Sequence, residues 1–151
     1  MLERARQIAA ALSVIGALGW AGALSARAEP AGPLLNDPNL PFTLEVTDVV
    51  AKVGEAAVLH ATLRPRDGYR VLDAYNNRVS RLSTEDDGVT FPRKMVAGDV
   101  VDGGLVFAIP VQPTKPGRHA INGVFRVGYA SGSNAMGMIT VPLMTGVTGT
   151  E

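Results

Sequence analysis

Two methionines separated by one residue, Met136-Gly-Met138, with Met144 in the same stretch, are the side chains whose type and spacing come nearest to a chemical site. Thioethers are soft donors suited to Cu(I), and His119 is the candidate to complete such a set in a copper-binding protein. The competing reading is mechanical: methionines fill irregular gaps, and on that reading Met136 and Met138 pack on the apolar face of a hairpin. His60 and His119 are the only histidines, and a zinc site would need further nitrogen or carboxylate ligands converging on them. Glu85-Asp-Asp-Gly88 carries three successive carboxylates without the alternating spacing of a calcium loop, which favours a solvated turn. A Ser-His-Asp hydrolase is disfavoured, because there is no nucleophile elbow and neither histidine has an evident partner. No cysteine is present, so thiol chemistry and lipid attachment through a cysteine are closed to this polypeptide acting alone. No motif calls for a cofactor. Tyr69, Tyr75 and Tyr129 have polar tips that suit either a partner interface or the rim of a core.

The elements that must position these groups read as strands. Phe42, Leu44 and Val46 alternate with Thr43, Glu45 and Thr47, the period-two signature of a half-buried strand. Leu59, Ala61 and Leu63 form the core face of a second, with Val58, His60 and Thr62 turned the other way. Tyr69–Leu72, Val79–Leu82 and Val89–Phe91 are shorter candidates, and Leu105, Phe107, Ile109 and Val111 alternate strictly. His119, Ile121, Gly123, Phe125 and Val127 share one face of the next strand. Asn-Gly normally marks a hairpin, but the alternation continues in phase across Asn122-Gly123, which predicts a bulge or a close contact at Gly123 instead. The last strand runs from Met138 to about Met144, with Pro142 placing it at an edge or its end. No window after residue 28 carries apolar residues at helical spacing. The expected fold is therefore all-β, an antiparallel β-sandwich of about seven to eight strands over residues 42–144, with a flexible polar tail at 145–151.

The chain begins with Glu3, Arg4 and Arg6, an apolar run from Ile8 to Leu24, and Ala26-Arg27-Ala28. This is the pattern of a secretory signal cleaved after residue 28, with an uncleaved anchor as the competing reading, since the run is at the lower limit for crossing a bilayer. A Pro-rich leader over 29–41 follows, holding Pro30, Pro33, Pro38 and Pro41. The implied location is outside the cytoplasm: periplasmic in a cell with two membranes, otherwise secreted, with no membrane span after cleavage. Of the 14 basic and 14 acidic residues, removal of the signal leaves a slight acidic excess, which supplies no electrostatic footprint for nucleic acid.

The order of several short motifs resembles the N-terminal, immunoglobulin-like periplasmic domain of the thiol:disulfide interchange protein DsbD. The likeness spans Gly54 to Leu143 and includes Arg66-Asp-Gly-Tyr-Arg70, Asp87-Gly-Val-Thr-Phe-Pro92 and Gly104-Leu-Val-Phe-Ala-Ile-Pro-Val-Gln-Pro-Thr-Lys-Pro-Gly117. At the final hairpin it includes Gly128, Tyr129, Ala135 and Thr140-Val-Pro-Leu143. In that family two cysteines form a reversible disulfide that passes electrons to periplasmic proteins, and here Tyr129 and Ala135 stand where they are expected. Neither a phenol nor a methyl group can attack or resolve a disulfide. The resemblance thus implies an immunoglobulin-like sandwich that has lost exchange and is not an enzyme by itself. It would act by binding a protein of the cell envelope, of the thioredoxin-like or cytochrome-maturation kind, through Tyr129, Asn134, Met136 and Met138. The segment Thr84–Gly104 would include a loop covering the hairpin tip.

Overall fold

Alternation of buried and exposed side chains organises the protein into two packed β-sheets. The computed structural model describes residues 37–151, so the expected signal at 1–28 and the expected leader as far as residue 36 lie outside the described residues. The strands are β1 (Phe42–Val46), β2 (Val49–Lys52), β3 (Ala57–Pro65), β4 (Tyr69–Val71), β5 (Arg78–Thr84), β6 (Val89–Thr90), β7 (Val96–Ala97), β8 (Asp99–Val101), β9 (Gly104–Pro113), β10 (Gly117–Ser131) and β11 (Met136–Thr150). One sheet has the order β1-β3-β9-β6, with β8 also against β9. The other has the order β2-β11-β10-β5-β7, with β4 also against β10. Among the described residues no helix is long and apolar enough to cross a membrane.

The expected core faces are the observed ones. Leu44, Leu59, Leu63, Leu105, Phe107 and Ile109 of the first sheet meet Leu82, Ile121, Phe125, Val127, Val141 and Leu143 of the second. At the centre the rings of Phe107 and Phe125 lie 4.9 Å apart at 56°, joining the two layers. The strand count exceeds the expected seven to eight by β2, β7 and β8, which are four, two and three residues long, too short to show a period in sequence; the short β6 falls within the expected strand Val89–Phe91. Residues 84–104 run beside β5 and β9, through Val96 opposite Val79, Thr90 opposite Gln112 and Asp99 opposite Val106. The segment that flanks the hairpin tip is instead Gly68–Arg70, the start of β4 with the glycine before it.

Two sequence signals acquire a physical form. The register of β10 against β5 shifts between Asn122 opposite Ser83 and Val124 opposite Ser80. The extra residue lies on β5, where Arg81 takes a positive φ of 56°, and Gly123 stands opposite. A Cβ there would sit 3.1 Å from Leu82 Cδ2 and 3.3 Å from Leu143 Cδ2. Pro142 stands where β11 is hydrogen-bonded only to β10, since β2 joins β11 over Val147–Thr150 alone.

The expected flexible tail is a correction. β11 continues without a break to Thr150, with Gly149 opposite Gly117 on one side and Ala51 on the other. The β2–β11 pair is also parallel, the one exception to antiparallel pairing among the described strands. The chain reaches β2 by crossing between the sheets at Thr47-Asp48. Thr47 N–H donates to His60 O of β3 (3.1 Å), while Asp48 Oδ1 accepts from the Thr145 hydroxyl of β11 (3.0 Å).

Truncating Phe125 to Ala removes a fully buried ring from the contact between the sheets. The expected loss is about 3–5 kcal/mol of unfolding free energy in a denaturant titration, against less than about 0.5 kcal/mol for Val58→Ala, which stands exposed on the opposite face of β3.

Candidate functional site

The hairpin tip is built by β10 and β11. Their register places Tyr129 opposite Gly137 and Ala130 opposite Met136, and the turn closes with Ser131 N–H donating to Ala135 O (2.9 Å) and Asn134 N–H to Ser131 O (2.8 Å). Asn134 takes a positive φ of 61°, a conformation Asn tolerates. Tyr129 and Ala135 are therefore not cross-strand partners. Tyr129 is partly buried and its ring meets Phe42 (6.0 Å, 86°) and Tyr69 (5.8 Å, 71°) edge to face, closing one end of the core. Ala135 is exposed in the turn. Tyr75 belongs to neither contact and lies over Gly128. Beside the tip is an open cleft of about 220 Å³ between Gly68-Tyr69-Arg70 and Ala130–Asn134.

The methionines do not pack on the apolar face. Ile139, Val141 and Leu143 turn inward, so the even-numbered residues of β11 face out, leaving Met136 76% exposed, Met138 50% and Met144 55%. The inward phase of Ile139, Val141 and Leu143 was the sequence signal for this. Main-chain direction follows the same alternation. Thr150 O accepts from Val53 N–H (2.8 Å), away from β10. The amide groups of Met136, Met138, Thr140, Met144 and Gly146 therefore also point away from β10, and Pro142 lacks an N–H where no partner strand lies. From Met136 to Gly146 this edge carries no second strand among the described residues.

His119 lies elsewhere and is fully engaged. It is 5% exposed, with Nδ1 2.6 Å from Asp86 Oδ2 and Nε2 2.8 Å from Lys115 O. Both neighbours are acceptors, and a neutral imidazole carries one proton, so the geometry calls for imidazolium paired with carboxylate. The Asp86 hydrogen bond, then that to the Lys115 carbonyl, hold His119 above its ordinary value. Hydrogen bonds from His119, Gly88 N–H and the Thr84 hydroxyl hold Asp86 well below the usual carboxylate range. The ring rests on Gly88, where a Cβ would fall within 2.0 Å of Nδ1.

This pair removes several readings of the residues. His119 has no nitrogen left to ligate copper beside Met136 and Met138, nor to act as a general base. Asp86 is the partner that sequence reasoning did not find for His119, and its carboxylate is committed to the turn rather than to calcium. His60 is exposed on β3 in the other sheet, so the two histidines do not converge. Among the described residues no group of three or more His, Cys, Asp or Glu could hold a metal ion.

Arg78 and Arg126 were not singled out as site residues. They stand directly opposite one another across β5 and β10, on the outer face of the sheet that bears the methionines. Their pairing depends on a register that the bulge at Arg81 shifts, so sequence alone did not bring them together.

No family model matches the chain, and a search of curated proteins returned no match.

Linkage gives the His119–Asp86 pair a definite pH signature. The raised His119 group adds stability that is complete below its ordinary value of 6.5 and is lost as pH rises through its folded value. The lowered Asp86 group adds stability present above 3.8 that is lost as pH falls through its folded value. The melting-temperature deficit of His119→Gln relative to the parent should therefore be greatest between about pH 4 and 6.5 and shrink toward pH 9. Gly88→Ala, which displaces the ring, should show the same profile in thermal melts.

Proposed function

We propose that this chain is an exported protein-binding module, redox-inactive by itself, that engages a partner in the cell envelope through its hairpin tip and the adjoining free edge of β11. The observation that carries this reading is the exposure of Met136, Met138 and Met144 on one face of a strand whose edge is open from Met136 to Gly146. Clustered apolar exposure on a soluble surface marks interaction sites, and flexible thioethers adapt to varied partners. Edge strands are ordinarily guarded by charge, yet β11 contains no charged residue in its whole length, and Pro142 is its one protective feature. Addition of a partner strand to such an edge is a recurrent mode of recognition.

The likeness to the DsbD N-terminal domain supports the same surface, because in that family the final hairpin meets the partner proteins. With Tyr129 and Ala135 in the cysteine positions, this chain would retain docking without electron transfer. The pattern of residues 1–28 supports export. The copper reading loses the support of His119 and is left with Met136 and Met138 alone at the tip.

A photoreactive residue at Asn134 tests the proposal in cells. A discrete protein adduct is expected, and Met136→Lys combined with Met138→Lys should abolish it while leaving stability within about 0.5 kcal/mol, since both side chains are exposed. The same adduct at the same yield in the double variant would overturn the proposed surface.

A further inference from the structure

The sheet that presents the open edge has a one-sided charge. Its six strands contain Lys52, Arg70, Arg78, Arg81, Arg118 and Arg126, and no Asp or Glu. Even-numbered residues of β10 lie on the outer face, as the burial of His119, Ile121, Phe125 and Val127 requires. Arg118 and Arg126 therefore project from the same face as Met136, Met138 and Met144. Among the described residues only Arg118 of these cations has a carboxylate partner, Asp48 at 2.8 Å.

That one ion pair is a template. The Arg118 guanidinium lies across β11 at Gly146, with atoms 2.9 Å from where a Cβ would stand, and meets Asp48, the residue immediately before β2. β2 is the strand hydrogen-bonded to the far side of β11. An arginine of β10 thus reaches over β11 to a carboxylate carried by the chain beyond it. Arg126 repeats the start of this arrangement. It projects from the same face of β10, opposite Thr140 of β11, but there no further strand lies beside β11 among the described residues. Arg126 also stands directly opposite Arg78. Like charges directly opposed across a strand pair are destabilising, a penalty that a carboxylate drawing Arg126 over β11 and away from Arg78 would relieve.

We infer that the open edge of β11 accepts an extended acidic segment of a partner protein, added along Met136–Gly146 in the lane that β2 occupies farther along, with its carboxylates turned toward Arg126. The inference rests on the protein-binding reading above and supplies the chemistry of the partner. Alternation fixes the pattern: acidic side chains face Arg126, while the intervening apolar ones extend the inner face beside Ile139, which packs partly buried against the core. The thioethers of Met138 and Met144 cover the aliphatic stems of the acidic residues. Open main-chain groups along the edge favour a polypeptide over the phosphates of a nucleic acid or the headgroups of a bilayer, since only a polypeptide can continue the ladder.

The test titrates the full chain with end-capped, fluorescein-labelled octapeptides that alternate Val with Glu, Gln or Lys, read by anisotropy. The Val/Glu peptide should bind about tenfold more tightly than Val/Gln, lose that advantage at high salt, and exceed Val/Lys by a wider margin. Arg126→Gln should weaken Val/Glu binding about fivefold. Arg78→Glu places a carboxylate opposite Arg126, so it should raise the melting temperature while weakening the peptide, and the melt shows that the fold is intact. Equal affinity for Val/Glu and Val/Gln, or binding unchanged in both variants, overturns the inference. Binding to phosphatidylglycerol vesicles without binding of the peptide also overturns it, assigning the face to a lipid surface. If the Asn134 adduct still depends on Met136 and Met138 while the peptide fails, the docking reading stands and only the acidic partner falls. If that adduct no longer depends on them, the docking reading itself fails.

Discussion

The rest of the molecule depends on the uninterrupted pairing of β10 with β11, from Gly117 opposite Gly149 to Ala130 opposite Met136. Side chains alternate with a period of two, so a one-residue slip would carry a whole row to the opposite face. Either Phe125 and Val127 would enter water and Arg126 the core, or Val141 and Leu143 would enter water and Met138 and Met144 the core. Burying an unpaired guanidinium is prohibitive, and exposing those apolar residues forfeits much of the contact between the sheets. The core therefore holds the register, and the register in turn decides which residues the outer surface presents. Tyr129 is inward for this reason, and so it closes the end of the core with Phe42 and Tyr69 instead of standing free at the tip.

How much of this was legible in the sequence can be argued residue by residue. The core faces of β1, β3, β9 and β10 were readable because they obey a strict period of two. Asn122-Gly123 was readable because the phase was the same on both sides of it, although the extra residue proves to lie on the neighbouring strand at Arg81. Pro142 was a sound guide to an unpaired edge. The segment beyond Met144 was missed because Thr145, Gly146, Thr148 and Gly149 are small and polar, although Val147 keeps the inward phase of Val141 and Leu143. Gly146 and Gly149 are there for room: the Arg118 guanidinium lies against one and the Lys115 carbonyl against the other.

The site was less legible than the fold, for two physical reasons. The His119–Asp86 contact and the Arg126–Arg78 contact join residues distant in sequence and depend on tertiary register, which a single chain does not display. The methionines were visible but ambiguous, since a thioether suits a core, a metal or a partner equally well. Its role is decided by which face of the strand it occupies. The acidic turn at Glu85–Gly88 shows the same dependence on context. Asp86 reads as one of three solvated carboxylates until β10 brings His119 against it, and then it becomes the anchor that ties the β5–β6 connection to the end of β10.

The parallel pair of β2 with β11 sets an order of events for the newborn chain. Asp48 and Thr145 are hydrogen-bonded across 97 residues of sequence, and Val49–Lys52 take their place only alongside Val147–Thr150. A ribosome delivers these two segments 97 residues apart. Until the later one is made, the earlier has no neighbour in its sheet, and the crossing at Thr47-Asp48 is tied on one side only. Contacts of such long range are slow to form, so the finished sandwich is a product of the completed polypeptide and not of its emerging half.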